Sequence, residues 1–357
     1  MRPNLRAIRK DPATRAIARA WQYLRANERR AILAVSGGAD SGALALALAA
    51  SGLADGCTIA HVRHTMRAEP ETKQDSAHVR ELAAAIGLAF EARAIDPATQ
   101  ASEGAQRVER YELLARVASE RGASAVATGH HADDQLETML MAMLRGAGAR
   151  GLGGMRRRRE LTPGCALIRP MLDVTHADAC RLCELAEWPW IEDPTNRETD
   201  RTRSALRERV LPALRALQSD ASQRASRSAT IVQLASDTLD QRVRELLDAA
   251  SDGSDEFQWE RASLAAMPDL MVSAVIRAAA IHIARDSLGD RFSFEESAKA
   301  ARCVIEGPDR PAVFEWAFGV RVEIDHHRVR VRRTKTNEAP DGAGASGGAC
   351  FADDGVS

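Results

Sequence analysis

Ala31-Ile32-Leu33-Ala34-Val35-Ser36-Gly37-Gly38-Ala39-Asp40-Ser41 decides how this chain is read. Its first five residues form a short apolar run of the kind that fills a buried parallel strand. Ser36, Gly37 and Gly38 end the run, and Ala43 to Ala50 reads as a helix of Ala and Leu. Strand, glycine turn and helix therefore follow directly. Glycines let successive backbone N–H groups turn toward one point, and a helix N-terminus adds partial positive charge there. Ser36 and Ser41 supply hydroxyl donors. The stretch Ser36, Gly37, Gly38, Ala39, Asp40, Ser41 thus predicts a polyphosphate cradle. Asp40 would repel a bare phosphate, so its expected role is to hold Mg²⁺ against the phosphates. No Gly-Lys-Ser/Thr is present, so the loop is not a Walker A motif.

Working outward, the pattern repeats. Ile17, Trp21 and Leu24 mark an amphipathic helix before the first strand. Strands are expected at 57–62, 88–95 and 124–128, and helices at 71–86, 103–121 and 133–145. Strands alternating with helices predict a parallel α/β sheet flanked by helices, with ligands at the carboxyl ends of the strands. The loop at 36–41, His61 to His64, and Gly129 to Asp134 all follow strand ends. Gly146 to Gly154 is glycine-rich and meets Arg156, Arg157, Arg158 and Arg159, which reads as a mobile connection or a loop over the site. An edge strand is expected at 167–171. Thr175 and Asp178 form a capping box for a helix from Thr175 to Glu187. An arginine-studded helix follows at 201–217, then a long helix without Pro or Gly from 219 to 250.

These breaks set four segments. Residues 1–217 form the nucleotide-binding domain, 218–250 a linker helix, 251–335 a small, mainly helical C-terminal domain with a hairpin at 320–331, and 336–357 a disordered tail.

The chain of 357 residues has 45% hydrophobic and 28% charged residues, as in a soluble globular protein. No run approaches the roughly 18 apolar residues of a membrane span, so no membrane partner and a cytoplasmic location are expected. Six scattered cysteines suggest no disulfide framework. Net charge is −1, so any nucleic-acid binding must rest on local patches.

Thr128-Gly129-His130-His131-Ala132-Asp133-Asp134-Gln135-Leu136-Glu137-Thr138 is the densest polar cluster. An N-cap at Asp133 with ordinary first-turn acids accounts for two of its carboxylates. It does not account for two histidines and three acids at a strand end opposite a phosphate loop.

Ser-Gly-Gly-x-Asp-Ser at 36–41 resembles the signature of the PP-loop ATP pyrophosphatases. Together with Gly129 to Thr138, His61-Val-x-His64-x-x-Arg67, Arg107-x-x-Arg110-Tyr111, Leu144 to Gly148, Arg169-Pro-Met-Leu172 and Asp193-Pro-Thr-Asn196, it is similar to the tRNA(Ile)-lysidine synthetase family. The likeness runs in order from about residue 30 to 210. It implies an enzyme that uses ATP and Mg²⁺ to adenylate C2 of the wobble cytidine. L-lysine then displaces AMP, and the partner is tRNA(Ile) with a CAU anticodon. Ser36, Gly37, Gly38, Asp40 and Ser41 carry over as the ATP loop. His130, Asp133, Asp134 and Glu137 carry over as catalytic or lysine-binding groups, and Arg110 and Arg203 as active-site cations. The chain departs from the family at Arg63, Thr65, Glu198, Arg201 and Ser204.

Expected tRNA contacts are Arg156, Arg157, Arg201, Arg203 and Arg207; Arg203 and Arg207 share a helix face at i,i+4. A homodimer is compatible with the sequence. Two other readings use the same loop. A PP-loop tRNA thiolase would use Cys180-x-x-Cys183, although these cysteines also fit the apolar pattern of a helix. A non-catalytic nucleotide-binding protein would leave the 129–138 cluster unexplained.

Overall fold

The computed structural model describes residues 1–25, 30–63, 69–96, 103–191, 201–250, 256–285, 292–308 and 310–334, with the side chains of 69–73, 103 and 201 outside that set. The expectations for His64, Thr65, Arg67, Asp193 to Glu198, the side chain of Arg201 and the tail from 336 lie outside the described residues. Two compact units divide the chain, one from Met1 to Gln233 and one from Leu234 onward.

The first unit begins with α1 (Leu5–Ile8) and α2 (Pro12–Arg25), then β1 (Ala31–Ala34) and α3 (Ala39–Ala50). There follow β2 (Cys57–Arg63), α4 (Glu69–Ala85), β3 (Ala89–Ala94), α5 (Glu103–Glu120), β4 (Ala125–Thr128) and α6 (Ala132–Leu144). The sheet order is β3-β2-β1-β4 and onward, all parallel to this point. β1 lies between β2 and β4, and Ile32 and Leu33 are fully buried, which is why that strand is apolar at every position. α3 is apolar all round because it is buried all round: Ala43 to Leu48 have no exposed surface, packed among β1, α2 and α8 (His176–Leu185). Tyr111, Leu114 and Val117 of α5 cover the opposite face over Ile32, Ala60 and Val126.

Beyond β4 the structure corrects two expectations. α7 (Ala149–Leu152) occupies the glycine-rich segment, and Gln135 of α6 fastens it there. Its amide donates to the Gly153 and Met155 carbonyls, both at 3.3 Å, and accepts from the Met155 N–H at 2.8 Å. These bonds tie the segment to α6. Arg158 and Arg159 lie on β5 (Arg158–Thr162), which pairs antiparallel with β6 (Cys165–Ile168). The strand expected at 167–171 is thus internal, and β5 forms the edge. Alternation along β5 is hidden by the arginine run, because an edge strand carries charges along its length.

The Thr175–Asp178 capping box forms as expected at the start of α8. The helix expected at 201–217 is three pieces: α9 (Arg201–Ala205), a π-helical turn (Leu206–Val210) and α10 (Leu211–Leu217). Pro212 cannot donate to the Glu208 carbonyl, and the widened turn precedes it.

α11 (Ala221–Asp248) crosses the division between the units. The second unit contains β7 (Glu256–Glu260), α12 (Arg261–Ala265), α13 (Asp269–Ala284), α14 (Phe294–Glu306), β8 (Ala312–Trp316), β9 (Val320–Ile324) and β10 (Arg328–Arg333). The expected helices and hairpin are present. β7 and β8 add to the hairpin, giving an antiparallel sheet of order β7-β10-β9-β8. Val320, Val322, Val329 and Val331 face a core with Val272, Ile276, Ala300 and Val304. Arg328, Arg330 and Arg332 alternate with those valines and face outward, a period of two. No helix among the described residues is long and apolar enough to cross a membrane.

Candidate active site

The loop after β1 is built as the sequence implies. Gly37 has φ of 102°, a conformation that side chains resist, and Gly38 caps α3 without a side chain to cover its first N–H groups. Ser41 Oγ accepts the Ser36 N–H at 3.1 Å and donates toward the Gly38 carbonyl at 3.3 Å. The two serine hydroxyls lie 3.1 Å apart. Gly129 explains how β4 approaches: a Cβ there would stand 2.9 Å from the Asp40 carbonyl carbon and the Ser41 nitrogen. Two glycines thus let two strand ends meet at one backbone.

Between them opens a crevice of about 330 Å³. Ser36, Gly38, Asp40 and Ser41 form one wall, and Thr128, Gly129, His130 and Asp134 another. Arg107, Arg110, Arg203 and Arg207 complete it. His130 Nδ1 lies 2.7 Å from Thr128 Oγ1. Burial lowers the pKa of His130 to about 3; Asp134 opposes this, while Arg169, Arg110 and Arg107 add to it. The imidazole is therefore neutral at pH 7.

The helix start differs from the sequence reading. His131, not Asp133, is the N-cap of α6: its Nδ1 accepts the Asp134 N–H, and Asp134 accepts the His131 N–H. The other ring nitrogen, Nε2, lies 3.6 Å from Asp40 and 3.5 Å from Asp134. Burial alone would lower the pKa of His131; the Asp134, Asp40 and Asp133 carboxylates outweigh it and raise it.

The three acids of the cluster separate. Asp134 lines the crevice. Asp133 lies off its wall and accepts from Ser222 Oγ, from the His176 N–H at 2.8 Å and from Arg215 at 2.7 Å. Glu137 is buried and accepts from Arg203 at 3.3 Å and Arg207 at 2.5 Å. Arg207 also reaches Asp134 at 3.3 Å. These pairs set Arg203 and Arg207 on the crevice wall.

The arginine run splits. Arg157 makes a two-pronged pair with Asp173 at 2.8 and 2.7 Å, and Arg158 donates to the Leu24 carbonyl at 2.7 Å. Arg156, whose carbonyl accepts from Arg169, has further partners. Arg156 and Arg157 are therefore held by the protein, away from the crevice lining.

His176 was not singled out by the sequence. Its Nδ1 lies 2.8 Å from Asp40 Oδ1, and nothing in the spacing of Thr175-His176 signals that contact. Burial would raise the pKa of Asp40, but hydrogen bonds with His131 and His176 outweigh it and hold the carboxyl well below its usual range. Asp40, His131 and His176 present ligand atoms within 4.8 Å of one another. Of the three, only Asp40 offers an oxygen ligand, and the two imidazoles hold it by hydrogen bonds and charge. An ionised carboxylate beside uncapped N–H groups does suit Mg²⁺ carried by a polyphosphate, since Mg²⁺ takes oxygen ligands and keeps its waters.

Comparison with known proteins agrees. Residues 11–214 match the family model of the PP-loop domain, the class that this sheet and loop define. The tRNA(Ile)-lysidine synthase of Bordetella pertussis is 40% identical over 194 residues, 52% of this chain and 59% of that protein. The tRNA(Ile)-lysidine synthase of Bradyrhizobium diazoefficiens is 34% identical over 328 residues, 84% of this chain and 88% of that protein. The chain belongs to the tRNA(Ile)-lysidine synthase family. It spans about three fifths of the length of the first curated relatives it matches, 59% and 63%. Among solved structures, the U34-tRNA thiolase NcsA from Methanococcus maripaludis superposes with a TM-score of 0.52 at 16% identity. The likeness covers 62% of this chain and 78% of that one, and is one of fold.

Proposed function

We propose that this protein attaches L-lysine to C2 of the wobble cytidine of tRNA(Ile) with a CAU anticodon, converting ATP to AMP and pyrophosphate. The observation that carries the reading is the crevice itself. A nucleotide loop faces a neutral histidine, a carboxylate and four arginines across a space of about 330 Å³. Ser36, Gly38 and Ser41 bind the ATP phosphates through N–H and hydroxyl donors. Asp40 holds Mg²⁺, which neutralises phosphate charge.

Cytosine C2 is a poor electrophile, and an adenylated oxygen gives it a good leaving group. Asp134 serves the lysine ammonium, and Glu137 sets Arg203 and Arg207 in place for the lysine carboxylate. Arg110 and Arg203 serve anionic groups of the substrates. His130, neutral and ordered by Thr128, offers an uncharged hydrogen-bonding group on the crevice wall. Residues 251–335, beyond the linker helix, contribute tRNA identity.

The test is incorporation of labelled lysine into a tRNA(Ile) CAU transcript, with pyrophosphate release followed in parallel. Both should require tRNA and ATP, and lysine should appear at the wobble base. Asp134→Ala or Glu137→Ala should raise the lysine requirement or stop transfer, with the fold intact. Pyrophosphate release without lysine incorporation, or unaltered lysine kinetics in both variants, would refute the respective assignments.

A further inference from the structure

Beside the crevice stands a group of cations that the nucleotide loop does not use. The guanidinium carbons of Arg107, Arg110 and Arg159 lie 5.6, 5.3 and 5.4 Å from the ring centroid of Tyr111. Arg169, only 3% exposed, stands beside the same residue. Among the described residues, no carboxylate pairs with any of the four. Like charges held this close repel, and an anion among them relieves the repulsion. Two polar atoms in the group are buried and lack a hydrogen-bond partner: Tyr111 Oη and Arg169 Nε. Arg169 lies within side-chain hydrogen-bonding reach of the phenol, but neither Tyr111 Oη nor Arg169 Nε has an aligned partner.

Position narrows the anion. Arg107 and Arg110 line the crevice, whereas Arg159 stands exposed on β5, outside the crevice lining. The loop at 36–41 already offers donors for the phosphates of one nucleotide. A lysine carboxylate or a pyrophosphate held inside the crevice leaves the exposed side of Arg159 on β5 to solvent. A chain of phosphates reaches both, and guanidinium forks match phosphate oxygens in pairs.

We propose that Arg107, Arg110 and Arg159, backed by Arg169 and the Tyr111 hydroxyl, form a seat for the backbone phosphates of RNA entering the crevice. The proposal rests on the tRNA reading above. Its signature is on Tyr111. Burial alone would raise the phenol pKa, but Arg107, Arg110, Arg169 and Arg159 outweigh burial and lower it. Phosphate in the seat cancels those charges and returns the pKa upward.

The chain has two tyrosines, Tyr23 and Tyr111, so phenolate absorbance of the full chain compared with Tyr111→Phe reports Tyr111 alone. Tyr111 should ionise below the ordinary phenol range. An RNA hairpin carrying the anticodon loop should move Tyr111 upward, and inorganic pyrophosphate should not. In parallel, hairpin affinity is measured across a salt series for wild type and Arg159→Gln. The variant should lose about 0.7 of the log–log slope, one single-strand phosphate contact, with ATP affinity unchanged. Pyrophosphate moving Tyr111 where RNA does not would give the seat to ATP phosphates and overturn the proposal. An unchanged salt slope in Arg159→Gln, or a Tyr111 titration indifferent to RNA, would overturn it too. Lysine incorporation by the wild type separates the two readings. Incorporation with an unchanged slope removes the seat alone, and the seat's signatures without incorporation remove the ligase alone.

Discussion

Asp40 Oδ1 lies 2.8 Å from His176 Nδ1, which joins the nucleotide loop to the first residue of α8. The contact orients the carboxylate and leaves its second oxygen for another partner. Asp40→Asn should abolish ATP-dependent adenylation while tRNA affinity stays within about twofold, because the amide cannot neutralise Mg²⁺. His176→Ala should keep the fold and raise the Mg²⁺ concentration needed for half-maximal pyrophosphate release several-fold. An unchanged Mg²⁺ midpoint would show that the histidine does not position Asp40.

Gly129→Ala tests the close approach of β4 to the loop. The new methyl would sit 2.9 Å from two backbone atoms of Asp40 and Ser41, which cannot move aside as a flexible side chain would. The expected result is a loss of about 1–3 kcal/mol in stability and a larger loss of ATP affinity, since the displaced atoms belong to the cradle. ATP affinity equal to wild type, read by calorimetry, would refute the tight junction.

Asp133 gives a prediction for pH. Burial would raise its pKa, but Ser222, the His176 N–H and Arg215 outweigh burial and lower it. A carboxyl with a depressed folded pKa adds stability above its unfolded value of 3.8. That stability is lost as pH falls through the folded value. Melting temperature should therefore fall on the acid side, and Asp133→Asn should flatten that limb while losing about 1–3 kcal/mol at neutral pH. Parallel curves for variant and wild type would locate the acid sensitivity elsewhere.

The cysteine pair separates this protein from a thiolase. Cys183 is fully buried and donates to the Ala39 carbonyl at 3.4 Å, and burial pushes its thiol up to about 12. It should resist alkylation in the native protein at pH 8, where the thiolate is the reactive form. Cys180→Ser with Cys183→Ala should retain lysine incorporation. Loss of activity in that variant at unchanged stability, with iron and labile sulfide in the wild type, would revive sulfur transfer.

The residues from Ala31 to Ser41 were sufficient for the strand, the glycine turn and the helix start, because each step depends on neighbours within one turn of chain. The alternation of strands and helices gave the parallel sheet for the same reason. Edge strand β5 escaped, since the arginine run that leads into it carries no alternation; only pairing with β6 makes a strand of Arg158 to Thr162. The capping of α6 by His131 escaped because an imidazole rarely fills that place, and an adjacent Asp reads as the cap. Local sequence also showed that Asp133, Asp134 and Glu137 cluster. It did not show that they part, one toward Ser222 and Arg215, one into the crevice, and one under Arg203 and Arg207. That sorting depends on which helices α6 meets, as do the contact of His176 with Asp40 and the four arginines around Tyr111. Spacing along a chain fixes what short-range geometry can reach. Contacts between residues 136 positions apart are chosen by the packing of whole elements, which the sequence encodes only collectively.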